Sequence, residues 1–557
     1  MKRLIPLILC AAMLLALPVY ATDETAAEPE AVDLTAQCSI LCNGGVLSHD
    51  MKDNSYFTRG TVPAGSVIKV TCTTPIGGIY ARFDQTGRDE YPAPWTLEVN
   101  GEERTCGENG WQQQYVGGFS ATELTMTFHE ETGISDLYFI SEGARPDWVH
   151  DWEAQPEKVD VLLMACHSDD DQYTFGGLIP WVLSKGASIQ VAYFINHYTH
   201  PNRVHEQLDG LWASGIHHYP EMGHYRDEER DSTLQNYINT GFTEEELIGS
   251  CVEVYRRYKP QIVVTHAVNG EYGHGGHIIY TQLCIDAIEH SNNPESYPKS
   301  AEKYGVWELP KVYVHLQQEK EVVIDFDTPL DMFGGRTAFK VGQDAFMYEV
   351  SQTWYPGQMG WLYGQDLASE ITENPVNRYG LYYSTVGDDV NTDTIFDNID
   401  LWPIREQKEA EEAERLALEE AERAAAEAEE ARLAEEEAQR VAAEKAAQEE
   451  LERITRQQAE EAERQAALER RLEEHNAALK GDKLLQIAAM AVPVLLAVIV
   501  ALMALALRRP KRGKKKQPPK QRSPHYEEEY EEYEDEPAYQ VDENYSLEEF
   551  YGESDKK

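Results

Sequence analysis

Positive charge is what this chain of 557 residues lacks: 49 Lys and Arg stand against 98 Asp and Glu, a formal net charge of -49. Such a chain has little with which to neutralise a phosphate backbone, which excludes a general nucleic-acid binder. Cysteine is also scarce, with 8 in all. Cys38, Cys42, Cys72 and Cys106 share one region and suffice for two disulfides of open pairing. Cys166, Cys251 and Cys284 lie in apolar contexts, where cysteine acts as a small core residue. Glycine and proline are missing from Ile404 to Lys480, a stretch rich in Ala, Glu, Arg and Gln. Without helix breakers, and with opposite charges three and four apart, residues 404–480 must be helical. At 1.5 Å per residue the helix is about 115 Å long. Its Leu, Ile and Val are too sparse for a sustained heptad seam, so a weak self-associating coiled coil and a lone charged helix both stay open.

Long apolar runs are confined to the two ends. Residues 1–21 have a charged start at Lys2 and Arg3, an apolar stretch from Leu4 to Leu17, and Val19-Tyr20-Ala21. That is the pattern of a signal peptide. Residues 484–507 carry no formal charge and are long enough to span a bilayer. Arg508, Arg509, Lys511, Arg512 and Lys514 to Lys516 follow at once. Positive residues stay inside, so the expectation is a single-pass cell-membrane protein, extracellular from Thr22 to Lys480. Residues 508–557, basic and then acidic, form its cytoplasmic tail; nothing in the tail names a partner.

Between these ends, residues 22–33 are an acidic leader expected to be disordered. Residues 34–145 show short strands separated by turns, with Asn100-Gly101 as a hairpin signal, and read as a β-sandwich. From 157 to 402 strands alternate with helices. Strands are expected at 159–165, 188–195, 262–265 and 311–316. Helices are expected at 174–185, 201–212, 243–258, 277–289 and 337–352, with Thr243 and Glu246 as a capping box. The alternation predicts a sheet with helices on both faces.

Two segments carry chemistry. The run 159–165 ends in His167-Ser168-Asp169-Asp170-Asp171, three carboxylates and an imidazole crowded beside a core strand. Crowded carboxylates repel unless a cation stands among them, and ligands of α/β sheets sit beyond the strand ends. After the strand 262–265 comes Glu271-Tyr272-Gly273-His274-Gly275-Gly276-His277. Joined around one ion, His167, Asp170 and His277 supply two nitrogens and an oxygen and leave a position open, as at a catalytic zinc. Asp169 points elsewhere and is free to act as base. His274 and Tyr272 are placed to donate to an oxygen that becomes negative. This is equipment for hydrolysing an amide.

Over Val159 to Asp389 the chain resembles the LmbE-like or PIG-L de-N-acetylases. Their His-Pro-Asp-Asp-Glu motif appears as His167-Ser168-Asp169-Asp170-Asp171, and Tyr-Gly-His-x-Asp-His as Tyr272-Gly273-His274-Gly275-Gly276-His277. A middle element appears as Arg203, Glu206, Ala213 and Gly215. The resemblance implies a Rossmann-like α/β domain with a mostly parallel sheet. It also implies zinc hydrolysis of an N-acetyl group on an N-acetylglucosamine unit, with Fe2+ as another metal that would serve. It makes His167, Asp170 and His277 the metal ligands, Asp169 the base, His274 and Tyr272 the transition-state donors, and Arg203 a substrate contact. Ser168, Asp171 and Gly276 depart from the family pattern. Ser168 and Gly276 favour a competing reading: a catalytically lapsed surface protein that binds glycans through its β domain. Zinc content with acetate release separates the two.

Overall fold

The computed structural model describes residues 29–227, 233–353 and 364–478. The signal peptide at 1–21, residues 22–28 of the leader, the apolar span 484–507 and the tail 508–557 lie outside the described residues. Among the described residues, no helix is long and apolar enough to cross a membrane. The chain divides into two compact units, Met1–Ala425 and Ala426–Lys557.

The first unit begins with a β-rich region. Its strands are β1 (Ser39–Cys42), β2 (Gly45–Val46), β3 (Gly60–Val62), β4 (Ser66–Asp84), β5 (Trp95–Val99), β6 (Glu102–Cys106), β7 (Gln113–Phe128) and β8 (Thr132–Ser141). The expected sandwich of separate short strands is met as one connected antiparallel network. Its path runs β2-β1-β4-β7-β5-β6, with β8 joined to β4 and β3 to β8. The cause is the length of β4 and β7. Register shifts between Thr71 and Gly78 let β4 stay on β7 throughout while its other neighbour changes from β1 to β8. Asn100 and Gly101 both take positive φ between β5 and β6, as a tight hairpin requires. Cys38, Cys42, Cys72 and Cys106 are free thiols, so the two expected disulfides are corrected. Three strands separate Cys42 on β1 from Cys106 on β6, which rules out that pairing. Ser39 pairs with Thr71, which sets Cys38 opposite Cys72.

The α/β region follows. Its sheet has the order β10-β9-β11-β12-β16-β13. Strands β9 (Val161–Ala165), β10 (Ile189–Tyr193), β11 (Ile262–Thr265) and β12 (Lys311–His315) are parallel. Strand β13 (Glu321–Val323), the small hairpin β14 (Pro329–Leu330) and β15 (Arg336–Thr337), and β16 (Arg378–Ser384) complete the set, with β16 antiparallel to both neighbours. Every side chain of β9 is buried because helices cover both faces. Val161, Leu163 and Ala165 enter one core, and Leu162 and Met164 the other, the period of two that a pleated strand imposes. The helix expected at 174–185 starts later, at Leu178, and runs to Ser184 after Gly177 takes φ 104°; a separate short turn, Asp170–Tyr173, precedes it. The Thr243–Glu246 capping box starts the helix Glu244–Tyr258.

One helix runs from Trp402 to Ala478. Its start is anchored in the first unit: Trp402 is buried and donates through its indole to the carbonyl of Val159 at 2.9 Å. From Ala426 to His475 its side chains are exposed, with charges paired along the helix, as in Arg432 with Glu429 at 2.5 Å and Glu436 at 2.6 Å.

Candidate metal centre and active site

Parallel pairing of β9 with β11 sets Met164 beside Thr265. The residues that follow, Cys166-His167 and His266, therefore emerge together at the carboxyl end of the sheet. The backbone N–H of His167 donates to Asp170 Oδ2 at 2.7 Å, and Thr174 Oγ1 donates to Asp170 Oδ1 at 3.0 Å. This folds the carboxylate of Asp170 back over the strand end. His277 stands in the first turn of the helix Gly275–Ser291.

The three side chains expected to share an ion converge. His167 Nδ1 lies 3.0 Å from Asp170 Oδ2 and 3.2 Å from His277 Nε2, and His277 Nε2 lies 3.2 Å from Asp170 Oδ1. Ligands at zinc distances in tetrahedral array stand about 3.3 Å apart, so the donor set and its spacing fit that ion. All three are buried. Burial works against charge on Asp170, yet His277, His266 and His167 hold its carboxyl well below the usual range. Burial would lower His277, but Asp170 and Glu271 push it up to about 10. Two histidines and a carboxylate that hold a proton between them are what a cation displaces.

Asp169 turns away from this trio. Its Oδ1 accepts from Arg203 Nη2 at 2.6 Å, so Arg203, expected as a substrate contact, is paired with Asp169 in this structure. His274 lies with its ring centroid 4.8 Å from that of His167. Burial, with His167 and His277 nearby, pushes it down to about 3, so it is neutral; its Nδ1 is buried without a partner among the described residues. Tyr272 is half-exposed at 49 %, takes φ 48°, and has its ring 5.8 Å from that of His277. Cys166 Sγ is 3.8 Å from His167 Nε2, and burial first, then Asp170, keeps it a thiol.

Sequence reasoning missed four residues. His266 stacks on His277 with centroids 4.0 Å apart and accepts from the Cys166 backbone N–H. Glu271 is buried and joins His266, His277 and His315. Asp227 Oδ1 lies 3.9 Å from His167 Nε2. The position of His266 one residue past β11, matching the strand-end site of His167, was the one available signal.

Residues 162–288 match the PIG-L family model, described as GlcNAc-PI de-N-acetylase. This segment is a PIG-L-like de-N-acetylase domain, a class of metal-dependent amide hydrolases. Similar proteins include a 1D-myo-inositol 2-acetamido-2-deoxy-alpha-D-glucopyranoside deacetylase of Geodermatophilus obscurus, 34% identical over 117 residues, 20% of this chain and 39% of the relative. The Mycobacterium leprae deacetylase of the same description is 25% identical over 181 residues, 28% of this chain and 58% of the relative. The chain thus spans about half the length of the curated relatives it matches. Among solved structures, N,N'-diacetylchitobiose deacetylase of Pyrococcus horikoshii is 15% identical, covering 40% of this chain and 82% of that one, with a TM-score of 0.30.

Proposed function

We propose that the protein removes N-acetyl groups from N-acetylglucosamine-containing glycans or glycoconjugates by zinc-dependent hydrolysis. The observation that carries this reading is the mutual spacing of 3.0–3.2 Å among His167, Asp170 and His277, with Asp169 held aside by Arg203. His167, Asp170 and His277 would hold the metal, which supplies Lewis acidity and lowers the pKa of bound water. Asp169 takes the proton of the water that attacks the acetamide carbonyl. His274 and Tyr272 donate to the oxygen that gains charge in that step. The C–N bond then breaks, the proton goes to the departing amine, and acetate and a free amino sugar leave. Arg203 keeps Asp169 aimed until substrate arrives.

The sequence pattern supports an exported enzyme, anchored by 484–507 and carried away from the membrane by the long helix. Fe2+ in place of zinc is compatible with the same ligands. The test is acetate release from an N-acetylglucosamine oligosaccharide by the full-length, zinc-loaded protein, with Asp169→Asn as control. A loss of at least ~100-fold in the variant is expected. Equal rates in both proteins remove Asp169 as base. Bound sugar with no acetate from either supports the glycan-binding reading instead.

A further inference from the structure

Glu271 opens the short turn Glu271–Gly273, between β11 and the helix Gly275–Ser291, and is 2 % exposed. Its Oε2 accepts from His277 Nδ1 at 2.6 Å and from His266 Nδ1 at 3.0 Å. Its Oε1 accepts from His315 Nδ1 at 2.7 Å and from the backbone N–H of Ala267 at 3.0 Å. One carboxylate thus takes four donors, three of them imidazoles brought from β11, β12 and the helix Gly275–Ser291. His266 uses its other nitrogen to accept from Cys166, so its hydrogen must sit on the side of Glu271. His277 likewise keeps a hydrogen on Nδ1, since the carboxylate of Glu271 can only accept, and Nε2, which faces His167 and Asp170, is the nitrogen whose proton a cation displaces.

Gly276, the neighbour of His277, cannot supply a carboxylate here. A Cβ on it would stand 3.2 Å from Cys166 Sγ and 3.3 Å from the ring of His167. We propose that Glu271 is the positioning residue of this metal centre, fixing the tautomer and orientation of His277 from the side opposite the glycine. This inference rests on the metal-binding part of the reading above.

An isosteric Glu271→Gln places an amide NH2 against two N–H groups whichever way it turns. With the NH2 towards His277, its imidazole must move its hydrogen to Nε2 or rotate; with the NH2 towards His315 and Ala267, the side chain is pushed from its seat beside His277, and either hinders the metal. In the full-length protein, zinc affinity measured by chelator competition is expected to fall ~10–100-fold in E271Q. The visible spectrum of the cobalt-loaded variant should change as well, reporting altered coordination. The melting midpoint of the metal-free variant, measured alongside, separates a lost metal orienter from a lost fold. Should E271Q fail to fold, Glu271→Asp keeps the charge but draws it back by one methylene, and a weaker loss of zinc is expected. Zinc affinity and cobalt spectrum equal to wild type in a folded variant overturn the proposal. A wild type that binds zinc but releases no acetate removes the deacetylase reading and leaves Glu271 in place; a wild type that takes up no zinc overturns both.

Discussion

Glu349 shows at the residue scale how much uncompensated charge the site region holds. It is fully buried, and neither of its carboxylate oxygens has a hydrogen-bond partner among the described residues. Burial first, then Asp169 and Glu206, push its carboxyl well above the ordinary range. A carboxyl whose pKa rises on folding binds its proton more tightly in the native state, so its contribution to stability falls as pH climbs above the unfolded value near 4.5. Glu349→Gln removes that loss. The variant should melt at a higher temperature than wild type, with a gain larger at pH 8 than at pH 5. A gain independent of pH would show that folding does not raise this carboxyl, and a loss of stability would show it ionised and paired. Asp171 shares the pattern: its Oδ1 is buried without a partner, and burial raises its carboxyl well above the usual range. At the place of the family's longer glutamate stands a shorter carboxyl whose ionisation burial opposes.

At the scale of elements, the helix Gly275–Ser291 and the end of β9 fit together through the absence of a side chain. Gly276 packs on Cys166 and His167 so closely that an added Cβ would stand 3.2–3.3 Å from them and they would have to give way. Gly276→Asp, the residue of the family motif, should therefore displace His167 and lower zinc affinity and acetate release by at least ~10-fold. Cys166→Ala removes the sulfur that stands 3.2 Å away. The double variant should recover part of the loss, a coupling that a double-mutant cycle reads directly. Additive losses would show that the two positions do not compete for space. The sequence made the strand-ends and their motif residues legible because alternation and apolar runs report burial locally. His266, Glu271 and His315 were illegible as partners. Two of their bonds span 5 and 6 residues through an irregular loop, which has no period, and the third spans 44 and depends on β12 lying beside β11. Strand β4 was legible only in pieces, since Gly77 and Gly78 resemble a turn while the register shifts around them keep the strand on β7.

At the scale of the whole described molecule, the β-rich and α/β regions of the first unit are locked by a buried ion pair. Arg82 on β4 donates to Asp209 Oδ2 at 3.0 Å, and Gln113 on β7 donates to Asp209 Oδ1 at 2.7 Å. Burial opposes the charge on Arg82, but Asp209 keeps it firmly protonated. Asp209 belongs to the helix Pro201–Ser214, which also carries Arg203, and His205 on that helix faces Asp84 at 3.5 Å. Trp111 stacks on Tyr219 at 5.0 Å in the same contact. The β-rich region therefore holds the helix that aims the base. Arg82→Met leaves Asp209 buried without its cation, a cost of about 3–5 kcal/mol, and should lower acetate release together with the melting midpoint. Replacing Asp209 as well, with Leu, should recover part of the stability because both charges are then gone. Calorimetry of the full chain decides the point. If the two regions unfold as one, Arg82→Met shifts a transition that contains both. If instead two transitions are seen and only the one assigned to the β-rich region moves, that region is an independent module and the control of Arg203 must come from within the α/β region.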